Sequence, residues 1–237
     1  MSEKKTNILK LIFSLLFFFY FGKIVSIILL LFGFDLNNLS ILGQSIYQFV
    51  GTIVLFIILF FIYYKDVKED FLNFKKNIKT NIKTIIKMYI IFMLIKFGVS
   101  FISTLIMVLL EFDTNSLTSA NQNVIQDLVK TTPILMIITT GFIGPVYEEI
   151  LFRLGFKKVI DNKTLFIVIS GFVFGLMHIF PLAKGITLTL GLIQSISYVS
   201  MGLVLAFIYE KSNNIFITIG IHFLNNFLSV ITMIGMM

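Results

Sequence analysis

This 237-residue chain contains no cysteine. That removes disulfides, thiolate nucleophiles, cysteine-ligated zinc and palmitoylation together. Charge is scarce too: 13% of the residues are Asp, Glu, Lys or Arg against 57% hydrophobic, and no polar stretch is long enough for a soluble catalytic domain. Arginine occurs once, at Arg153, and histidine twice, at His178 and His222. Several hydrolase signatures are missing as well. There is no His-Glu-x-x-His, no Gly-x-Ser-Gly and no aspartate deep in an apolar run, so metalloprotease, rhomboid-like and aspartyl intramembrane chemistries lack their residues.

What the chain has in quantity is long apolar runs, enough to cross a hydrocarbon layer of ~30 Å at about 1.5 Å per residue. They predict an all-α polytopic membrane bundle of about seven transmembrane helices, at roughly Ile8 to Phe34, Ile41 to Tyr64, Ile85 to Leu110, Pro133 to Phe156, Leu165 to Leu182, Leu188 to Tyr209 and Ile215 to Met236. The first reads as an uncleaved helix, because no Ala-x-Ala-like site follows it. A polar link through Asp35, Asn37 and Asn38 joins the first two spans. Lys65 to Lys83 reads as an interfacial amphipathic helix or solvated connector, with Phe71, Phe74, Ile78 and Ile82 at helical spacing among lysines. Glu111 to Lys130 reads as a polar connection.

The net charge of +7 does not point to nucleic acid, since the lysines sit beside helix ends and no base-reading module accompanies them. Alternating sides from a cytoplasmic N-terminus puts Lys4, Lys5, Lys10, the Lys65 to Lys87 cluster, Arg153, Lys157, Lys158, Lys163 and Lys211 inside, with Lys130 and Lys184 outside. The positive-inside rule therefore predicts N-terminus in and C-terminus out. No internal repeat is visible, which gives a transporter of inverted halves no support.

Within the fourth span lies Gly144-Pro145-Val146-Tyr147-Glu148-Glu149-Ile150-Leu151-Phe152-Arg153. Charges at membrane depth cost roughly 2.5 to 3.5 kcal/mol each, so such a cluster is a functional hypothesis by default. Helical spacing lets Glu149 pair with Arg153 at i,i+4 and leaves Glu148 on a neighbouring face, free to act. Pro145 donates no hydrogen bond and predicts a kink, with the carbonyl of Gly141 unpaired. On a soluble helix the same pattern would be an ordinary surface ion pair.

Both histidines fall in later spans. Gly171, Gly175 and His178 share one face, and the Gly-x-x-x-Gly pair predicts close approach of another helix. His222, Asn226 and Ser229 form a polar stripe, which fits either interhelical packing or a cavity. Gln194, Ser197 and Tyr198 form a weaker one, fitting packing or a substrate channel. A carboxylate and two imidazoles converging in a bundle can activate water for attack on a carbonyl. Glu148 would take the water proton, helped by His178, while His222 and Asn226 would donate to the oxyanion. The same Glu148, His178 and His222 could instead hold zinc. Sequence leaves both open.

The ordered set Glu148-Glu149 with Arg153, Phe174 with His178, and His222 with Asn226 resembles the CAAX protease and bacteriocin-processing (CPBP, or Abi) intramembrane proteases, also called the type II CAAX prenyl endopeptidase family. The resemblance covers about Pro133 to Met236. It divides the chain into accessory transmembrane helices with a basic cytoplasmic connector over 1–131 and a CPBP-like catalytic core over 132–237. It implies an intramembrane endopeptidase in the cell membrane acting on a membrane-associated peptide or protein, in peptide or bacteriocin processing or immunity. Catalysis would use Glu148, His178, His222 and Asn226, supported by Glu149 and Arg153, with no cofactor or, in the alternative, Zn. One departure is local: Leu154 stands between the motif arginine and Gly155, where family members usually have glycine at once. Richness in Lys, Asn, Ile and Phe fits a low-GC bacterial source. Two other readings are a non-catalytic membrane scaffold or immunity protein and an ion-coupled transporter.

Overall fold

The computed structural model describes residues 2–33, 38–112, 119–180 and 186–237. The expected link residues Asp35 and Asn37, the end of the fifth span at Leu182, and Lys184 lie outside them. The described elements are helical: α1 (Glu3–Leu31), α2 (Ile41–Ile62), α3 (Tyr64–Lys76), α4 (Ile78–Leu109), α5 (Ala120–Thr131), a composite helix over Pro133–Gly155, α8 (Lys163–Met177), α9 (Leu188–Ser212) and α10 (Ile215–Gly235). The composite helix comprises α6 (Pro133–Met136), a π-helical turn at Ile137–Ile143, α7 (Gly144–Glu149) and a second π segment at Ile150–Gly155.

Among the described residues, six helices are long and apolar enough to cross a membrane. The seventh expected span is different. α8 has 15 residues, about 22 Å at the α-helical rise, and it stops with His178 at its C-cap, whose N–H bonds the carbonyls of Gly175 and Leu176. His178 therefore sits at a helix end within the bundle and not in the middle of a span.

The connectors also differ from expectation. Lys79, Lys83 and Lys87 belong to the first turns of α4, which begins at Ile78 and runs for 32 residues. The amphipathic segment is confined to α3. Inside the stretch expected to be a plain polar connection lies α5, capped by Ser119, whose Oγ accepts from the Gln122 N–H at 3.2 Å. Ile125, Leu128 and Val129 recur at helical spacing and pack on Met136 and Val230; that apolar stripe is what makes the segment fold.

Basic residues and their partners gather at one end of the bundle. Lys4 of α1 meets Asp161 at 3.0 Å, Lys158 meets Asp66 of α3 at 2.5 Å, and Lys157 and Lys163 flank Glu210 of α9 at 2.7 and 3.6 Å. At the same end Asp70 of α3 accepts from the N–H of Ile215 at 2.8 Å, tying the connector to the first residue of α10.

The expected close helix approach is present, and its partner is α9. A Cβ on Gly171 would stand 2.8 Å from the Cα of Leu203, one on Gly175 would run into the backbone of Val199, and Gly202 faces Gly171 in return. Bare backbone on both sides is what lets α8 and α9 close on each other.

Candidate active site

The composite helix is built around Pro145. In the preceding turn the N–H of Gly144 bonds the carbonyl of Thr139, five residues back. Continued by one residue, that register asks Pro145 for a donor it lacks. The carbonyl left over is Thr140's, one position before the Gly141 expected from α-helical spacing. It does not stay unpaired: Asn226 Nδ2 of α10 donates to it at 3.2 Å, as a polar backbone group in an apolar surround requires.

Beyond Pro145, the two glutamates separate as their rotation predicts. Glu149 Oε2 accepts from Arg153 Nε at 3.1 Å, and both side chains are 0% exposed. Arg153, which the positive-inside reading sets on the cytoplasmic side, is fully buried and paired. Its Nη1 donates to Ser170 Oγ at 2.8 Å, and Ser170 in turn donates to the carbonyl of Phe152 at 2.6 Å. Nη2 has no hydrogen-bond partner, but the guanidinium lies 4.7 Å over the Phe174 ring, where the aromatic face offers a cation–π contact. The ion pair is thereby packed as part of the core, among Ile150, Leu151 and Phe152.

The second π segment, Ile150–Gly155, carries Arg153 and the extra Leu154. Its i→i+5 register takes one residue more per turn. Gly155 keeps a tight contact, since a Cβ there would stand 2.9 Å from the Tyr63 hydroxyl.

His222 joins the two acids. Its Nδ1 lies 3.0 Å from Glu149 Oε1, and its Nε2 lies 3.8 Å from Glu148 Oε2. An ionised carboxylate only accepts, so Nδ1 carries a proton and donates to Glu149. His178 is oriented in the same manner: Nδ1 sits 2.9 Å from the Phe174 carbonyl, which leaves Nε2 as the free acceptor. Its ring stacks on Tyr198, centroids 4.7 Å apart at 13°. Phe174 touches the rings of both histidines, at 4.9 and 5.6 Å, and is the hub that holds His178, His222 and Arg153 together.

A cavity of about 560 Å³ opens in front of this set and is lined by Glu148, His178, His222, Asn226, Gln194 and Tyr198, among others. Glu148 retains 14% exposure where Glu149 has none, so Glu148 is the carboxylate that a solvent molecule can meet. The weaker stripe Gln194, Ser197 and Tyr198 also lies on the cavity wall. Sequence reasoning missed Ser170, a small residue with no signal of its own, and Lys96 of α4, which also lines the cavity. Lys96 had a signal: it is an ionisable residue in the middle of an apolar span.

Whether the site suits a metal is a question of donor geometry. Among the described residues no group of three or more His, Cys, Asp or Glu could hold a metal ion. Glu148, His178 and His222 do not form such a group in this arrangement.

Comparison with known proteins points the same way as the motifs. The family model described as "Type II CAAX prenyl endopeptidase Rce1-like" matches residues 130–228. A curated protein of Bacillus subtilis (strain 168), "Putative membrane peptidase YdiL", is 32% identical over 116 residues, which is 48% of this chain and 43% of that protein. The chain thus covers less than half the length of that relative. No solved structure matches. The matched segment contains Glu148, Glu149, Arg153, His178, His222 and Asn226, so the similarity to the type II CAAX prenyl endopeptidase Rce1-like family spans the whole candidate site.

Proposed function

We propose that this protein is an intramembrane endopeptidase that hydrolyses a peptide bond of a membrane-associated peptide or protein with water activated by Glu148. The observation that carries this reading is the division of labour between adjacent acids. Glu149 is sealed against Arg153 and His222, while Glu148 faces the cavity with His222 Nε2 at 3.8 Å.

In this mechanism a water enters the cavity between Glu148 and the substrate carbonyl. Glu148 takes one of its protons as the oxygen attacks. His178 Nε2 accepts the other O–H and orients the water. The developing oxyanion receives hydrogen bonds from the Asn226 amide and from His222, which donates from both nitrogens as an imidazolium held between two carboxylates. Collapse of the tetrahedral intermediate breaks the C–N bond, and Glu148 returns its proton to the leaving amine. No cofactor takes part. Arg153 and Glu149 act by fixing His222.

The same reading places the N-terminus in the cytoplasm and the C-terminus outside, because Lys4, Lys157, Lys158 and Lys163 collect at one end of the bundle. The substrate reaches the site from the bilayer; processing or immunity toward bacteriocin-like peptides is the biological setting we assign to it.

The test is cleavage of a library of membrane-associated peptides by purified protein, wild type against Glu148→Gln, with and without chelator. Cleavage by the wild type, lost in the variant and indifferent to chelator, is the expected result. Cleavage surviving in Glu148→Gln would overturn the assignment of the base; loss on chelation, restored by zinc, would overturn the metal-free mechanism. A cellular phenotype that persists with Glu148→Gln would mark the protein as a scaffold.

A further inference from the structure

Lys96 of α4 lies outside the segment that matches the family and outside all three motifs, yet it points into the same cavity. No carboxylate pairs with it among the described residues. Its Nζ instead donates to Asn225 Oδ1 at 2.7 Å. From there the bonds run on: Asn225 Nδ2 donates to Asn226 Oδ1 at 2.8 Å, and Asn226 Nδ2 donates to the Thr140 carbonyl at 3.2 Å.

The two ends of this chain differ in kind. An ammonium has three donors and no acceptor, and a backbone carbonyl only accepts. Between them stand two side-chain amides whose oxygen and nitrogen ends are nearly alike in shape, so each amide's orientation is decided by its partners. With a cation at one end, Asn225 presents its oxygen to Lys96 and its NH₂ to Asn226. Asn226 then presents its oxygen to Asn225 and its NH₂ to Thr140 and the cavity. The Thr140 carbonyl is available as the terminal acceptor because Pro145, five residues on, has no N–H to give it.

We propose that Lys96 is a positioning residue for the peptidase reaction: through Asn225 it fixes the direction of the Asn226 amide, so that the second N–H of that amide faces the cavity as a donor to the oxyanion. This rests on the peptidase reading above. Without the cation, Asn225 is free to turn its amide over and set its oxygen against that of Asn226; the Asn226 amide is then held from the Thr140 side alone, and its second N–H loses its fixed aim at the cavity. The relay also explains the presence of a lysine at a depth where an unpaired charge is costly. Charge-assisted donation strengthens the first bond and polarises those that follow.

The experiment has a kinetic and a spectroscopic arm. In the kinetic arm, Lys96→Met lowers kcat roughly tenfold to a hundredfold while KM stays within about twofold, since loss of one oxyanion donor costs about 10²- to 10³-fold and a misdirected one retains part of its effect. Lys96→Arg, which still only donates, keeps kcat within about threefold. In an Asn226→Ala background Lys96→Met has no further effect on kcat, because the relay has lost its target. Full activity in Lys96→Met, a change confined to KM, or a loss that multiplies with that of Asn226→Ala would overturn the inference. The spectroscopic arm does not need turnover. In protein carrying ¹⁵N-asparagine, the side-chain amide signals of Asn225 and Asn226, identified by their loss in Asn225→Ala and Asn226→Ala, move in Lys96→Met and hold in Lys96→Arg. Unmoved signals in Lys96→Met sink the relay whatever the enzyme does. Signals that move in a protein that cleaves no peptide keep the relay and remove the peptidase.

Discussion

A carboxylate meets a cation in two contrasting regions of this molecule. At the basic end of the bundle Lys4 and Asp161 stand 3.0 Å apart with side chains 64% and 84% exposed. In the middle of the composite helix Arg153 and Glu149 stand 3.1 Å apart with side chains wholly buried. The distances are nearly the same and the surroundings are opposite. Water and salt screen the first pair, which links the first turn of α1 to the loop before α8. The second is shut in a low-dielectric core with Ser170 on one arm, the Phe174 ring beneath and His222 on the far carboxylate oxygen. An interaction of one geometry thus serves as a weak tether in one place and as the fixed frame of the site in the other.

Breaking the buried pair has the largest expected effect. Arg153→Met leaves the Glu149 carboxylate buried without its cation and costs about 3 to 5 kcal/mol, read as a fall in the melting temperature of the detergent-solubilised protein. Combining it with Glu149→Gln removes both charges, and the double variant is more stable than Arg153→Met alone. If the double is worse than the single, the pair is not the unit described here. Ser170→Ala sharpens the comparison by leaving both charges in place and removing one hydroxyl that serves Arg153 and the Phe152 carbonyl. A loss of about 1 to 3 kcal/mol is expected for the polar groups it strands. At the exposed end Lys4→Ala should change stability by less than about 1 kcal/mol, and the change should fade as salt is added. A salt-insensitive loss as large as that of Ser170→Ala would erase the contrast between the two regions.

How far the sequence could be read follows the same division. The Glu149–Arg153 pair was legible because i,i+4 spacing on a helix fixes who can reach whom, and the close approach of Gly171 and Gly175 because a side-chain-free face has one obvious use. Pro145 announced an unpaired carbonyl, but α-helical counting put it at Gly141. Nothing in the residues foretold the π register that moves it to Thr140. The run Leu165 to Leu182 read as a full span because hydropathy measures length and not termination, and α8 ends at Met177. Helical spacing placed the Gln194, Ser197 and Tyr198 stripe on one face without telling packing from cavity. Their place on the cavity wall, and the stacking of Tyr198 on His178, depend on how α9 is rotated against α8, a tertiary property. Lys96 was passed over among the other lysines, although its depth in an apolar span set it apart from those at the helix ends.

The most direct test of the central claim is the single-turnover rate of peptide-bond cleavage by Glu148→Gln beside the wild type, at matched folding. The substitution keeps the shape of the side chain and removes its ability to take a proton. The account predicts a protein that melts like the wild type, binds peptide, and cleaves it at least about a thousandfold more slowly, within the range that general-base catalysis contributes. A Glu148→Gln protein that cleaves at the wild-type rate would contradict it.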